Sequence, residues 1–126
     1  MQYHQSIKVI ENFFHITYTH NTGAAFSILE GQKWFFVFSA LIACIGIVGY
    51  INKSKDVTKL IKFALMLIIG GAIGNLIDRV VYGYVIDFLD FYIFGYDFPV
   101  FNVADCCITI GTGLLLLSII FTKEEK

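Results

Sequence analysis

Trp34-Phe35-Phe36-Val37-Phe38-Ser39-Ala40-Leu41-Ile42-Ala43-Cys44-Ile45-Gly46-Ile47-Val48-Gly49-Tyr50-Ile51 is a run of eighteen residues without a charged side chain. An apolar stretch of that length reads as a transmembrane helix, because about 20 residues at a rise of about 1.5 Å cross the hydrocarbon core of a bilayer. Trp34 and Tyr50 stand near its two ends, where interfacial aromatics belong. Two more stretches have the same character, at about 60–80 and 103–121. The expected fold is therefore a mainly α membrane protein with three transmembrane helices, in a single integral membrane domain covering 1–126. Composition agrees: 57% of the 126 residues are hydrophobic and only 15% are charged, well below the quarter or so of a soluble domain.

Charge sets the expected orientation. Lys53, Lys55, Lys59 and Lys62 crowd the polar connection 52–59, whereas 82–103 holds no lysine or arginine. The positive-inside rule then puts the lysine loop in the cytoplasm and 82–103 outside. The N-terminal segment is expected outside and the C-terminus, with Lys123 and Lys126, inside. The net charge of −1 says little about partners, and no basic patch exists for nucleic acid. Cys44, Cys106 and Cys107 show no metal-ligand spacing and read as small apolar fillers. The start, Met1-Gln2-Tyr3-His4-Gln5, is not followed by the apolar core of a signal peptide.

The first 33 residues read as an extracytoplasmic β segment. Ile7 to Ile10, and Phe14 onward to His20, are rich in aromatic and β-branched residues, ended by Asn21-Thr22-Gly23. Ala24-Ala25-Phe26-Ser27 looks like a tight entry into the first span. Further on, Val85, Asp87, Leu89 and Phe91 would share one side of a strand, and Ile86, Phe88 and Asp90 the other. This stretch is expected to pair with residues 13–20 in a small antiparallel sheet, stopped by Pro99.

In the second stretch, Gly70-x-x-x-Gly74 suggests close helix packing through small residues. Beyond it the helix turns polar at Asn75, Asp78 and Arg79, which helical spacing puts on one face.

Asp87 and Asp105 are the candidate reactive groups. Each lies in an apolar setting at the edge of a span, and a carboxylate is costly there without a job or a partner. Asn102-x-x-Asp105 also has an innocent reading, as a helix cap with an acid in the first turn. Asp87 has no cation near it in sequence. The expected topology carries both acids to the outer interface. Two carboxyls within hydrogen-bond reach share a proton, so one can activate water while the other donates to a carbonyl oxygen. His4, His15 and His20 all fall in the N-terminal segment, so no serine–histidine or cysteine–histidine set competes.

Four blocks carry a resemblance: Asn21-Thr22-Gly23-Ala24-Ala25-Phe26-Ser27, Gly71-Ala72-Ile73-Gly74-Asn75-Leu76-Ile77-Asp78-Arg79, Gly83-Tyr84-Val85-Ile86-Asp87-Phe88 and Phe101-Asn102-Val103-Ala104-Asp105. In order and spacing they resemble the signature blocks of bacterial lipoprotein signal peptidase, or signal peptidase II, over residues 7–121. The resemblance implies an aspartic endopeptidase of the bacterial cytoplasmic (inner) membrane, with its site at the extracytoplasmic face. Its substrate would be a diacylglyceryl-modified prolipoprotein, cut just before the lipidated cysteine. Asp87 and Asp105 would be catalytic. Asn21, Asn75, Arg79 and Asn102 would line the site, with Asp78 structural. A globomycin-type cyclic peptide would occupy the site, no metal or organic cofactor is implied, and a monomer among membrane lipids is expected.

Family members have four spans, the first with an Asp-x-x-Ser/Thr-Lys motif, and nothing upstream of Ile7 matches that helix. The three spans found here are therefore expected to be those of a four-helix bundle lacking its first helix, a loss that would weaken folding. Two other readings remain at this level. One is a truncated, non-catalytic paralogue. The other is a small proton- or ion-conducting subunit, although a relay needs ionisable groups spread across the membrane and these gather at one end.

Overall fold

The computed structural model describes residues 1–23 and 29–124; the tight entry expected at 24–27 lies outside the described residues. The order of elements is β1 (Ser6–Ile10), β2 (Phe14–Asn21), α1 (Lys33–Lys53), α2 (Lys59–Tyr82), β3 (Val85–Ile93), β4 (Tyr96–Asp97) and α3 (Val103–Glu124). Three helices are long and apolar enough to cross a membrane. Each runs slightly past its apolar run. α1, for example, takes in Lys33 and Lys53, because a lysine stem can lie along the helix while its head stays in water. Helix ends are marked locally. The Thr58 hydroxyl accepts the Ile61 N–H at 3.2 Å, capping α2. At its other end Gly83, at φ +86°, donates its N–H to Arg79 O at 2.9 Å, the left-handed stop that glycine allows.

The four strands form one antiparallel sheet in the order β1-β2-β3-β4. β2 and β3 pair from Phe14↔Phe91 to Asn21↔Val85, joining the two stretches whose alternation suggested strands. A bulge in β2 between Ile16 and Thr19 shifts the register, an irregularity that sequence alternation does not reveal. On one face Phe14 stacks on Phe91 at 4.7 Å between centroids. On the other, His15 lies against Tyr92 at 4.8 Å. A further bridge joins Leu89 to Phe101, just before α3.

The chain divides into two compact units: Met1–Val37 with Leu76–Val103, and Phe38–Asn75 with Ala104–Lys126. The first holds the sheet. The second holds most of the helical length, and there glycine sets the approach of α2 to α3. A Cβ on Gly71 would run into Ala104 O and lie 2.6 Å from Ile108 Cγ1. One on Gly111 would lie 2.6 Å from Ala64 O. The spacing Gly70-x-x-x-Gly74 pointed to a different pair. A Cβ on Gly70 meets nothing within 4 Å, and one on Gly74 only touches the Ala104 Cβ at 3.4 Å. The close-packing face is thus one residue further round the helix than the motif suggested.

Burial is inverted relative to a water-soluble domain. Among the described residues the buried hydrophobic side chains are Val37, Ala64, Leu65 and Val85, while Asn75, Asp87, Asp90, Asn102 and Ser118 are also buried. Ile42 and Ile45 are about 70% exposed, as lipid-facing residues should be when the surrounding solvent is hydrocarbon.

Gly71→Ala is expected to destabilise the protein by about 1–3 kcal/mol through overpacking against α3, whereas Gly70→Ala is expected to be neutral or mildly stabilising. Thermal unfolding in detergent distinguishes them; equal effects would contradict this packing.

Candidate functional site

Asp87 lies on β3, 3% exposed. A carboxyl buried this far needs partners for its polar atoms. Asn102, immediately before α3, supplies one partner: its Nδ2 donates to Asp87 Oδ1 at 2.9 Å and to Ile86 O at 3.3 Å. The amide of Asn102 therefore faces the sheet as well as standing at the helix start. Thr19 Oγ1 on β2 donates to the Asp87 carbonyl at 3.2 Å, fixing the strand beneath the acid.

Two residues near the end of α2 hold the surrounding backbone. Asp78 Oδ2 accepts the Ile86 N–H at 3.1 Å, which ties the helix to β3 across the turn through Gly83. Arg79 donates to the Gly23 carbonyl at 3.2 Å, and its guanidinium lies 4.6 Å over the Phe36 ring, a cation–π arrangement. Asn21 closes the same loop, its Oδ1 accepting the Gly23 N–H at 2.9 Å. The first unit therefore brings together Asn21, Asp78, Arg79, Asp87 and Asn102, five of the seven residues singled out from sequence.

The other two meet in the second unit. Asn75 Nδ2 on α2 donates to Asp105 Oδ1 at 3.0 Å, with Asp105 in the first turn of α3. Gly71 and Ala104 permit this, because the two helices pack closely one turn away. Each candidate acid thus has one carboxylate oxygen held by an asparagine amide from a different element. An amide donor restrains a carboxylate without adding a charge.

Two of the histidines lie on β2, and His20 pairs with Ile86, next to Asp87. His20 stacks on Tyr84 at 3.7 Å and hydrogen-bonds the Tyr18 hydroxyl at 3.1 Å, and His15 is half-buried on β2. Among the described residues no group of three or more His, Cys, Asp or Glu could hold a metal ion.

The residues match the family described as Signal peptidase (SPase) II over 1–121. The chain belongs to the signal peptidase II family. It is 46% identical to the lipoprotein signal peptidase of Symbiobacterium thermophilum over 99% of this chain and 82% of that protein. It is 47% identical to that of Halalkalibacterium halodurans (100% and 80%) and 43% identical to that of Bacillus subtilis (100% and 82%). A bacterial membrane enzyme solved by the in meso method at 2.3 Å resolution superposes with a TM-score of 0.94 at 40% identity, over 100% of this chain and 77% of that one. A second such structure, at 1.9 Å, gives 0.84 at 42% identity, over 94% and 77%. As a signal peptidase II, this chain is a membrane protease.

Sequence reasoning passed over Asp90. It is as buried as Asp87, at 3% exposure, but lies on the opposite face of β3. Thr17 Oγ1 donates to Asp90 Oδ2 at 2.7 Å, and Ser6 Oγ lies 2.9 Å from Thr17 Oγ1, linking β1, β2 and β3. Its setting between Leu89 and Phe91 was the available signal, since it matches that of Asp87. Asp90 also acts on Asp97. A side-chain hydrogen bond with Asp90, together with burial and the Asp90 charge, pushes the Asp97 carboxyl up to about 6, against a smaller opposing pull from His15.

That raised value has a definite sign. The folded state holds the Asp97 proton more tightly than the unfolded chain, so the stabilisation is complete below the ordinary carboxylate range and is lost as pH rises through about 6. Asp97→Asn is expected to raise the unfolding temperature at neutral pH. The gap from the native protein should close as the pH falls through that window; a gap independent of pH would contradict it.

Proposed function

We propose that this chain removes the signal peptide from diacylglyceryl-modified prolipoproteins, cutting before the lipidated cysteine, with Asp87 and Asp105 as the catalytic pair. Signal peptidase II acts on lipoprotein substrates in a membrane, and the curated relatives carry the name lipoprotein signal peptidase. The observation that carries the residue assignment is the repeated pairing of acid with asparagine: Asp87 with Asn102 and Asp105 with Asn75.

In this mechanism the two carboxyls share one proton. The ionised member takes a proton from water, and the resulting hydroxide attacks the scissile carbonyl. The protonated member donates to the carbonyl oxygen as it becomes tetrahedral. As the intermediate collapses, the ionised carboxyl takes a hydroxyl proton from the diol, the C–N bond breaks and the leaving amine takes a proton from the other carboxyl, which leaves the pair again with one proton. Direct water attack leaves no covalent enzyme intermediate. Asn102 and Asn75 orient the acids. Asp78 and Arg79 hold β3 and the loop at Gly23, where the backbone of an extended substrate would lie.

The lysine loop at 52–59 supports an orientation with 82–103 on the extracytoplasmic side of the bacterial cytoplasmic membrane. There the acyl chains of the substrate stay in lipid while water reaches the peptide bond. The chain works as a monomer and as one peptidase domain, and a globomycin-type cyclic peptide competes for the same acids. The readings as a conducting subunit or a non-catalytic paralogue find no support in the family match.

Cleavage of a lipidated prolipoprotein tests the assignment. Asp87→Asn and Asp105→Asn should each lower kcat by about 100- to 10,000-fold, with little change in unfolding temperature, because the amide keeps the shape but cannot carry the proton. Substantial turnover by either variant would rule out the dyad.

A further inference from the structure

Asp90 is the buried acid that the mechanism leaves unused. It is 3% exposed. Its Oδ2 accepts from Thr17, but Oδ1 is buried and finds no donor in the rest of the fold. An unmet carboxylate oxygen at that depth is costly. Strand geometry brings a second acid to it. Tyr92, two residues along β3, pairs with Asp97 of β4, so Asp90, Tyr92 and Asp97 share one face of the sheet. His15 marks the same face, since it pairs with Asp90 and lies against Tyr92. Two ionised carboxylates only accept, so Asp97 can serve Asp90 only while it carries a proton. The Asp97 carboxyl does hydrogen-bond Asp90 and keeps its proton up to about 6. Asp97 is itself exposed, so that proton exchanges with the surrounding water.

β4 needs such a fastening. It has two residues, Tyr96 and Asp97. Its turn, Phe94-Gly95, has positive φ at both positions, 50° and 81°. That is the type I′ hairpin, whose first position asparagine or glycine normally fills, and a bulky aromatic there is strained. Beyond β4 the chain runs back along β3. Phe98 N–H donates to Phe91 O at 2.8 Å, Phe101 N–H to Leu89 O at 3.1 Å and Leu89 N–H to Phe101 O at 2.8 Å. The next residue is Asn102, whose amide holds Asp87 Oδ1 at 2.9 Å. Asp97 and Asn102 thus stand at the two ends of a short return segment zipped to the strand that bears Asp87.

We propose that Asp97 is a positioning residue: through a proton shared with Asp90 it latches the return segment 96–102 onto β3 and so keeps Asn102 set against Asp87. The inference rests on the reading of Asp87 as a catalytic acid. The latch is closed while one proton lies between Asp90 and Asp97. Once Asp97 ionises, two like charges face each other and the segment loosens. The other groups on this face are the hydroxyls of Thr17 and Ser6, Tyr92, His15 and, paired with His15 on β1, Lys8. Histidine is a side chain that titrates in the same range, so the test must tell it from Asp97.

That test measures kcat for a lipidated prolipoprotein, and hydrogen exchange at the Leu89 and Phe101 amides, at about pH 5 and about pH 8, on either side of the Asp97 value. Asp97→Asn carries an amide that donates to Asp90 at both. Its kcat relative to the native chain should be near one at the lower pH and about 2- to 10-fold higher at the upper, the factor one hydrogen bond is worth, with KM unchanged. The pH dependence of the catalytic pair cancels in this ratio. Asp97→Ala, with no donor, should fall short of the native chain at the lower pH and match it at the upper. At the upper pH both amides should exchange more slowly in Asp97→Asn than in the native chain. A flat kcat ratio, or equal exchange, would overturn the latch. So would a native pH step that His15→Gln abolishes, which would assign the proton to the histidine. Asp87→Asn, run alongside, tests the catalytic assignment separately, because the exchange reports the latch whichever residues are catalytic.

Discussion

The hydrogen bond from Asn102 Nδ2 to Asp87 Oδ1 is the constraint around which the sheet-bearing unit is organised. On a strand of Val, Ile, Phe and Leu, leaving a buried carboxylate unmet would cost several kcal/mol. Asn102 meets it from the far side of the 82–103 connection, at the first residue before α3. The same amide reaches Ile86 O, so one side chain fixes both the acid and the strand that carries it. Asp78 grips the Ile86 N–H from α2. The strand segment around Asp87 is therefore held from α2 on one side and from the residue preceding α3 on the other.

The second unit repeats this logic with other means. Asn75 can reach Asp105 because α2 and α3 approach closely, and they do so because Gly71 has no side chain to hold Ala104 and Ile108 away. In hydrocarbon, apolar side chains gain nothing by leaving lipid for each other. Close backbone packing and internal hydrogen bonds must hold the helices instead. The inverted burial follows: polar asparagines and aspartates inside, isoleucines outside.

Much of this was legible from residue order. The spans could be read because hydrocarbon thickness imposes a minimum apolar length, and no other feature of the chain imitates an uncharged run such as 34–51. The pairing of β2 with β3 followed from alternating faces, and Asp87 stood out because nothing near it in sequence could neutralise it. Less legible was the rotation of α2. Glycine spacing marks a face only when one glycine pair is available, and Gly70, Gly71 and Gly74 offered a choice that Ala104 and Ile108 decide. The β2 bulge was hidden for a similar reason, since it depends on the partner strand. Asp90 was passed over because alternation set it on the side opposite Asp87, and the hydroxyls of Ser6 and Thr17 that link to it come from two other strands. The hairpin end, too, needed backbone angles, because Phe94-Gly95 does not look like a type I′ turn in sequence.

The central claim of the mechanism is that Asp87 and Asp105 work as two carboxyls with one proton between them. The pH dependence of kcat/KM for cleavage of a lipidated prolipoprotein reports on this most directly. A shared-proton pair predicts a two-limbed profile, falling at acid pH when both carboxyls are protonated and at higher pH when both are ionised, with the two apparent values belonging to the pair. A rate that rises through one ionisation and then stays level would contradict it.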